Sequence, residues 1–224
     1  HTQRVYGAMV RQLDRRIGDI LAKLKATGLD QNTLVIFTSD NGGAWYTGIA
    51  DHNKPYRGYK GTFFEGGIRV PLLMRWPGTI PAGTTRPDVA QHLDLFATIA
   101  AAAGAEVPSD RKMDSYNLFN PKERREITFW RSGDYRVVRA GDWKLQVNEK
   151  QRKAWLYNLA ADPTETTNLI ARNPAKAERA VIVLIEGARQ DIELVLASRR
   201  KLPVVSGAAT PIKSKNRPKN QAMK

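Results

Sequence analysis

Apolar residues recur at helical spacing near the amino terminus. Val5, Met9, Leu13, Ile17, Ile20, Leu21 and Leu24 fall on one face, and Gly28 follows as a natural carboxy-terminal cap. The pattern predicts a helix that packs on a sheet. Residues 34–37 are an unbroken apolar run without alternation, the mark of a strand covered on both faces, as in a parallel sheet. Residues 70–76 predict a second strand, ended by Pro77-Gly78. Asp94 is placed to cap a helix through Ala103, which Gly104 ends. From Ile127 the period changes to two. Residues 127–130, 135–139, 143–147 and 154–159 predict four strands, with Ala140-Gly141-Asp142 turning between the middle pair. Pro174 fits the first turn of a last helix, with Val181, Leu184, Ile185, Ala188, Ile192, Val195 and Leu196 as its apolar face. Trp130, Trp143, Trp155 and Tyr157 are expected in the core. The expected organisation is an α/β unit over residues 1–125, then a small antiparallel sheet packed on a helix over 126–198.

Composition adds a third segment. Of 224 residues, 36 are Lys or Arg and 22 are acidic, a net charge of +14. Eight of the basic residues lie between Arg199 and Lys224, where there is no acid and three prolines interrupt the chain. Such a stretch reads as a disordered basic tail over 199–224. It is either a solvated tail or a patch for a polyanion, an anionic membrane surface or nucleic acid, of which nucleic acid is not expected. With 42% hydrophobic residues the chain is long enough to bury a core, and with no cysteine it forms no disulfide. No apolar run approaches the ~20 residues that span a bilayer.

The chemistry concentrates in two places. The apolar run 34–37 passes through Thr38-Ser39 into Asp40-Asn41-Gly42-Gly43. Ligands bind at the carboxyl ends of strands in open α/β sheets, and Asp40 and Asn41 offer oxygen donors of the kind calcium and magnesium take. Asn41-Gly42 is equally an ordinary turn. About twenty residues on, Tyr56 to Pro71 holds Gly58, Gly61, Gly66 and Gly67 together with Arg57, Lys60, Glu65 and Arg69. That glycine density implies close backbone approach or positive φ, with Lys60 free to aim an ammonium at an oxyanion. His52 lies between the two segments, as a substrate contact or as an exposed loop histidine; His92 is given no catalytic role.

These segments together resemble the formylglycine-dependent, arylsulfatase-like sulfatases. The resemblance rests on Thr38-Ser39-Asp40-Asn41-Gly42, on Arg57-Gly58-Tyr59-Lys60-Gly61-Thr62 running into Glu65-Gly66-Gly67-Ile68-Arg69-Val70-Pro71, and on Trp76-Pro77-Gly78. Arg139 to Leu145, Leu156-Tyr157-Asn158-Leu159 and Asp162-Pro163-Thr164-Glu165-Thr166-Thr167-Asn168-Leu169 look like the family's carboxy-terminal motifs. The resemblance implies an α/β fold that is part of an alkaline-phosphatase-like mixed sheet with flanking helices. It implies Ca2+ as cofactor with Asp40 and Asn41 as metal ligands, and Lys60 as the catalytic, sulfate-binding lysine. It also implies a sulfated small molecule or glycan as substrate and a periplasmic or extracellular location.

The sequence departs from the family in one respect. It has no cysteine, none of its seven serines begins a Ser-x-Pro-x-Arg, and no paired aspartates precede Asp40. The formylglycine precursor and two metal ligands are therefore expected on an amino-terminal half outside these residues, and the chain by itself is expected to be inactive. Two other functions fit the same residues: a phosphoester or phosphonate hydrolase of the same superfamily, and a non-enzymatic polyanion-binding fragment.

Overall fold

In a computed structural model the chain is described at residues 1–49, 51–123, 125–180, 182, 183 and 186. Helix α1 runs over Thr2–Ala26 and ends in Thr27 and Gly28. Gly28 takes φ +73°, its N–H reaches the Lys25 carbonyl and the Leu29 N–H reaches that of Leu24. This closure needs a left-handed residue, so the cap was legible in the sequence. The helix does not pack as expected. None of its residues is buried, and Val5, Met9, Leu13 and Ile20 stay 45%, 65%, 53% and 58% exposed. Periodicity shows that an apolar face exists, not that a partner covers it.

Strand β1 (Val35–Thr38) pairs with β2 (Leu72–Arg75), Val35 opposite Arg75 and Thr38 opposite Leu72. The pairing is antiparallel rather than parallel, and Phe37, Leu72 and Leu73 remain exposed. Between the strands lies the short helix α2 (Glu65–Ile68), built on the glycine-rich segment. Helix α3 (Asp94–Ala102) ends at Ala103 and Gly104 with the same closure as α1. Asp94 is inside the helix rather than its cap, the cap position being Leu93. Its fully buried carboxylate accepts from the Gln91 and Tyr116 N–H groups and pairs with Arg125 at 2.5 Å.

The second sheet meets expectation closely. Strands β3 (Ile127–Ser132), β4 (Tyr135–Ala140), β5 (Trp143–Asn148) and β6 (Lys153–Asn158) form an antiparallel meander in chain order. Alternation sorts the strands into two faces. On one face Val138, Leu145 and Leu156 close on Ala177, with Trp143, Val147, Ile170, Ala180 and Val183 around them. Residues 174–180 are helical, so Pro174 does open a helix. The other face carries Val137, Lys144, Gln146 and Tyr157, all buried, beneath Phe63, Phe64 and Glu65. Tyr157 belongs to the core as expected, whereas Trp130, Trp143 and Trp155 are only half-buried. The expected tail 199–224 and Val181, Leu184, Ile185, Ala188, Ile192, Val195 and Leu196 lie outside the described residues. Among the described residues, no helix is long and apolar enough to cross a membrane.

Candidate active site

Two loops meet at the end of β1. The first is Asp40 to Gly43; the second is residues 57–67, which carries Lys60. Their backbones touch directly. Gly42 N–H donates to the Gly67 carbonyl at 2.9 Å and Lys60 N–H to the Gly43 carbonyl at 3.1 Å. A Cβ on Gly42 would fall on the Gly66 carbonyl oxygen, and one on Gly66 would stand 2.6 Å from the Arg57 carbonyl oxygen. Gly58 and Gly61 have φ +90° and +89°. Close approach therefore accounts for Gly42, Gly66 and Gly67, and positive φ for Gly58 and Gly61.

Asn53 fastens the two loops. Its Oδ1 accepts from Gly43 N–H at 2.7 Å, and its Nδ2 donates to the Gly43 carbonyl at 3.0 Å and the Gly58 carbonyl at 3.1 Å. Sequence reasoning passed over this residue. The only signal was an amide in a loop with glycines on either side.

The sequence-derived site residues fall as follows. Asp40 is exposed at the strand end, and among the described residues no hydrogen bond or ion pair engages its carboxylate. Asn41 is half-buried, its Oδ1 has no exposed surface, and no donor reaches it. A buried, unpartnered amide oxygen costs free energy unless something binds it, so this atom suits a hard cation. Lys60 is exposed, and its backbone is held one hydrogen bond from Gly43. His52 lies on the Gly43 backbone, where a Cβ would meet its ring. Its Nδ1 donates to the Ile49 carbonyl at 2.6 Å, and its Nε2 is buried without a partner. Loop closure thus brings Lys60 onto the Gly42–Gly43 backbone that follows Asn41, with the His52 ring against Gly43. Among the described residues, no three His, Cys, Asp or Glu side chains gather to hold a metal. Asp40 and Asn41 could supply part of a coordination shell.

Beside the loops is an open cavity of about 310 Å³ bordered by Trp45, His52, Lys54, Tyr56 and Tyr59. Trp45 is 65% exposed and Tyr59 43%, with ring centroids 6.4 Å apart. Large aromatic faces left in water beside a polar site suit a ligand with one apolar face and a hydroxylated rim.

Behind the loops, the motif residues Glu65, Lys144 and Glu165 are all buried. Lys144 Nζ lies 2.9 Å from a carboxylate oxygen of each glutamate. Burial pushes the Glu165 carboxyl above the ordinary glutamate range, and the Lys144 ammonium offsets part of that rise.

Comparison with known proteins places this arrangement. Residues 1–105 match the sulfatase family, and residues 58–184 match the carboxy-terminal region of N-sulphoglucosamine sulphohydrolase. A sulfatase of Formosa agariphila is 33% identical over 96% of this chain and 42% of its own length. The human N-acetylgalactosamine-6-sulfatase is 44% identical over 50% of this chain and 22% of its own. Among solved structures, Ps i-CgsB in complex with k-i-k-neocarrahexaose superposes with TM-score 0.73 and 30% identity, covering 83% of this chain and 43% of that one. The phosphonate monoester hydrolase of Agrobacterium radiobacter superposes with TM-score 0.65 and 26% identity, over 84% of this chain and 41% of that one. The chain thus spans less than half the length of these relatives. Its fold is the α/β fold of alkaline-phosphatase-like hydrolases, and the chain belongs to the sulfatase family.

Proposed function

We propose that this chain is the carboxy-terminal part of a sulfuric ester hydrolase acting on a sulfated saccharide. The nucleophile and the remaining metal ligands would come from an amino-terminal half of the same enzyme. The observation that carries the reading is the junction of the Asp40–Gly43 and Lys60 loops, with the Asn41 Oδ1 buried and unpartnered at it. Asp40 and Asn41 would hold a calcium ion, which when bound supplies positive charge to a sulfate oxygen. Lys60 would bind another sulfate oxygen and offset the charge that grows there in the transition state. Asn53 keeps the two groups in register. Trp45 and Tyr59 favour a sugar ring, whose C–H face can lie on an aromatic plane while its hydroxyls meet Lys54 and Asp51 on the rim. The relatives named for N-acetylgalactosamine-6-sulfatase activity and the neighbour holding k-i-k-neocarrahexaose point the same way.

The second reading, a phosphonate or phosphate ester hydrolase, draws on the phosphonate monoester hydrolase neighbour. One comparison separates the two. The complete enzyme is offered N-acetylgalactosamine 6-sulfate, 4-nitrophenyl sulfate and a phenyl phosphonate ester, and the released anion is measured. The saccharide sulfate is expected to turn over fastest; faster phosphonate cleavage overturns the sulfate reading. Lys60→Ala is expected to lower kcat by about 10²-fold or more, and Asp40→Ala to weaken calcium binding in calorimetry. Normal values for both variants refute the site. The 224-residue chain alone is expected to release no sulfate, and turnover by it would remove the need for a second half.

A further inference from the structure

Three buried ionisable groups outside the proposed reaction gather in one cluster. Glu65 opens α2 at the end of the glycine segment, Lys144 is on β5, and Glu165 is on the turn after β6. Their side chains are 2%, 0% and 0% exposed. Two glutamates share one buried ammonium. Arg69 approaches the Glu65 carboxylate only at 3.7 Å and from solvent. Arg57 faces the cluster through the Glu165 carbonyl, at 3.0 Å, and the Tyr157 hydroxyl, at 3.5 Å. Gln146 adds a weak contact to Glu165 at 3.4 Å. Burying charge in this way is costly, and hydrophobic replacement of such groups is often neutral or better for stability.

The backbone at Glu165 adds an independent observation. Its φ is +56°, a left-handed conformation that disfavours any residue with a Cβ. Two devices hold the turn in that shape. The Asp162 carboxylate accepts from the Thr164 and Thr166 hydroxyls and the Thr167 N–H, and Asn168 Oδ1 accepts from Leu156 N–H on β6. The strained turn points the Glu165 carboxylate at the start of α2, where Oε2 accepts the Glu65 N–H at 2.6 Å. Strain maintained against its own cost commonly marks a functional constraint.

What lies beyond Glu65 identifies that constraint. Gly66 N–H donates to the Arg57 carbonyl at 2.7 Å, and the Gly67 carbonyl accepts the Gly42 N–H at 2.9 Å. A Cβ on Gly67 would stand 2.6 Å from the Tyr59 carbonyl oxygen. The backbone that follows Glu65 is thus wedged between the Lys60 loop and the residue next to Asn41, with no slack on either side. We propose that Glu65, Lys144 and Glu165 are positioning residues: the carboxy-terminal sheet uses them to fix the glycine segment, and through it the placement of Lys60 relative to Asn41. The proposal rests on the sulfate-ester reading only for what Lys60 and Asn41 do once placed.

Amide hydrogen exchange on the complete enzyme, metal removed by a chelator and no substrate added, tests it, so its failure is separate from failure of the functional reading. In Lys144→Met the side chain's length is kept and the two glutamates lose their buried cation. Protection factors at Lys60, Gly66 and Gly67 are expected to fall at least about tenfold at pH 8. They are expected to recover at pH 5, where protonating a carboxyl removes the stranded charge; a purely packing role for Lys144 gives no such recovery. Val137 and Val138 on β4 report whether the sheet itself is intact. If they lose protection too, Glu165→Asp decides, since it keeps every charge and withdraws the carboxylate by one methylene. It is expected to expose the same three amides and spare β4. Unchanged protection of Lys60, Gly66 and Gly67 in the deciding variant, or a loss in Lys144→Met that acid does not reverse, overturns the proposal.

Discussion

Replacing Asn53 by aspartate keeps the side chain's shape and changes one donor into an acceptor. The native amide makes three hydrogen bonds, one accepted from Gly43 N–H and two donated to the Gly43 and Gly58 carbonyls, at 2.7, 3.0 and 3.1 Å. At a net contribution of about 1 kcal/mol each, they are worth about 3 kcal/mol at the junction of the two loops. Asn53→Ala loses all three, with water replacing part of the loss because the residue is only half-buried. Its expected cost is about 2 kcal/mol. Asn53→Asp keeps the bond from Gly43 N–H, loses two, and sets a charged oxygen against two carbonyl oxygens. Its cost at neutral pH is expected to exceed that of alanine and to reach about 3 kcal/mol or more. The carbonyls favour the protonated acid, so the pKa of the introduced carboxyl is raised, and part of the loss is recovered as pH falls toward 5. Urea denaturation followed by far-UV circular dichroism measures both costs, and exchange at Gly43 and Lys60 locates them. An aspartate variant no less stable than the alanine variant, or two costs below about 0.5 kcal/mol, would refute the assignment of Asn53 as the fastener.

Other expectations follow from the same structure. Burial pulls the Asp162 carboxyl upward, but hydrogen bonds from Thr167 N–H and the Thr164 and Thr166 hydroxyls outweigh it and leave the group below the ordinary aspartate range. A depressed folded pKa contributes stability above the unfolded value and loses it as pH falls through the folded one, so Asp162→Asn is expected to flatten the acid limb of a urea-stability profile. An unchanged limb would assign acid sensitivity to other groups. Leu156 is fully buried against Leu145 and Ala177, so Leu156→Ala is expected to cost about 2–5 kcal/mol in denaturant unfolding. Gly42→Ala puts a methyl group on the Gly66 carbonyl oxygen and should open the junction, lowering protection at Gly67 and weakening calcium binding to the complete enzyme. Normal values for both would show that the loops have room to give.

The sequence by itself determined the elements whose causes lie within a few residues. Gly28 and Gly104 end their helices because only a residue tolerant of positive φ closes the last turn, and both take that conformation. Alternation over residues 127–158 set the four-stranded meander, because each strand's side chains must divide between two faces. Asp40, Asn41 and Lys60 stood out by local chemistry, oxygen donors at a strand end and a lysine among glycines, and took their roles from motif resemblance; no periodicity singles them out, since a loop's chemistry is not written in its hydrophobic pattern. Only the tertiary structure decided that β1 and β2 run antiparallel, for strand direction depends on which distant segment arrives alongside. It alone showed that Asn53 joins the two loops. It also turned Lys144, a polar position in an alternating strand and so outward by pattern, into a wholly buried cation. Glu65 is 79 residues from Lys144 and 100 from Glu165 in the chain. Local preference fixes backbone shape over a turn or two, whereas desolvation and ion pairing depend on what the folded chain brings within a few ångströms.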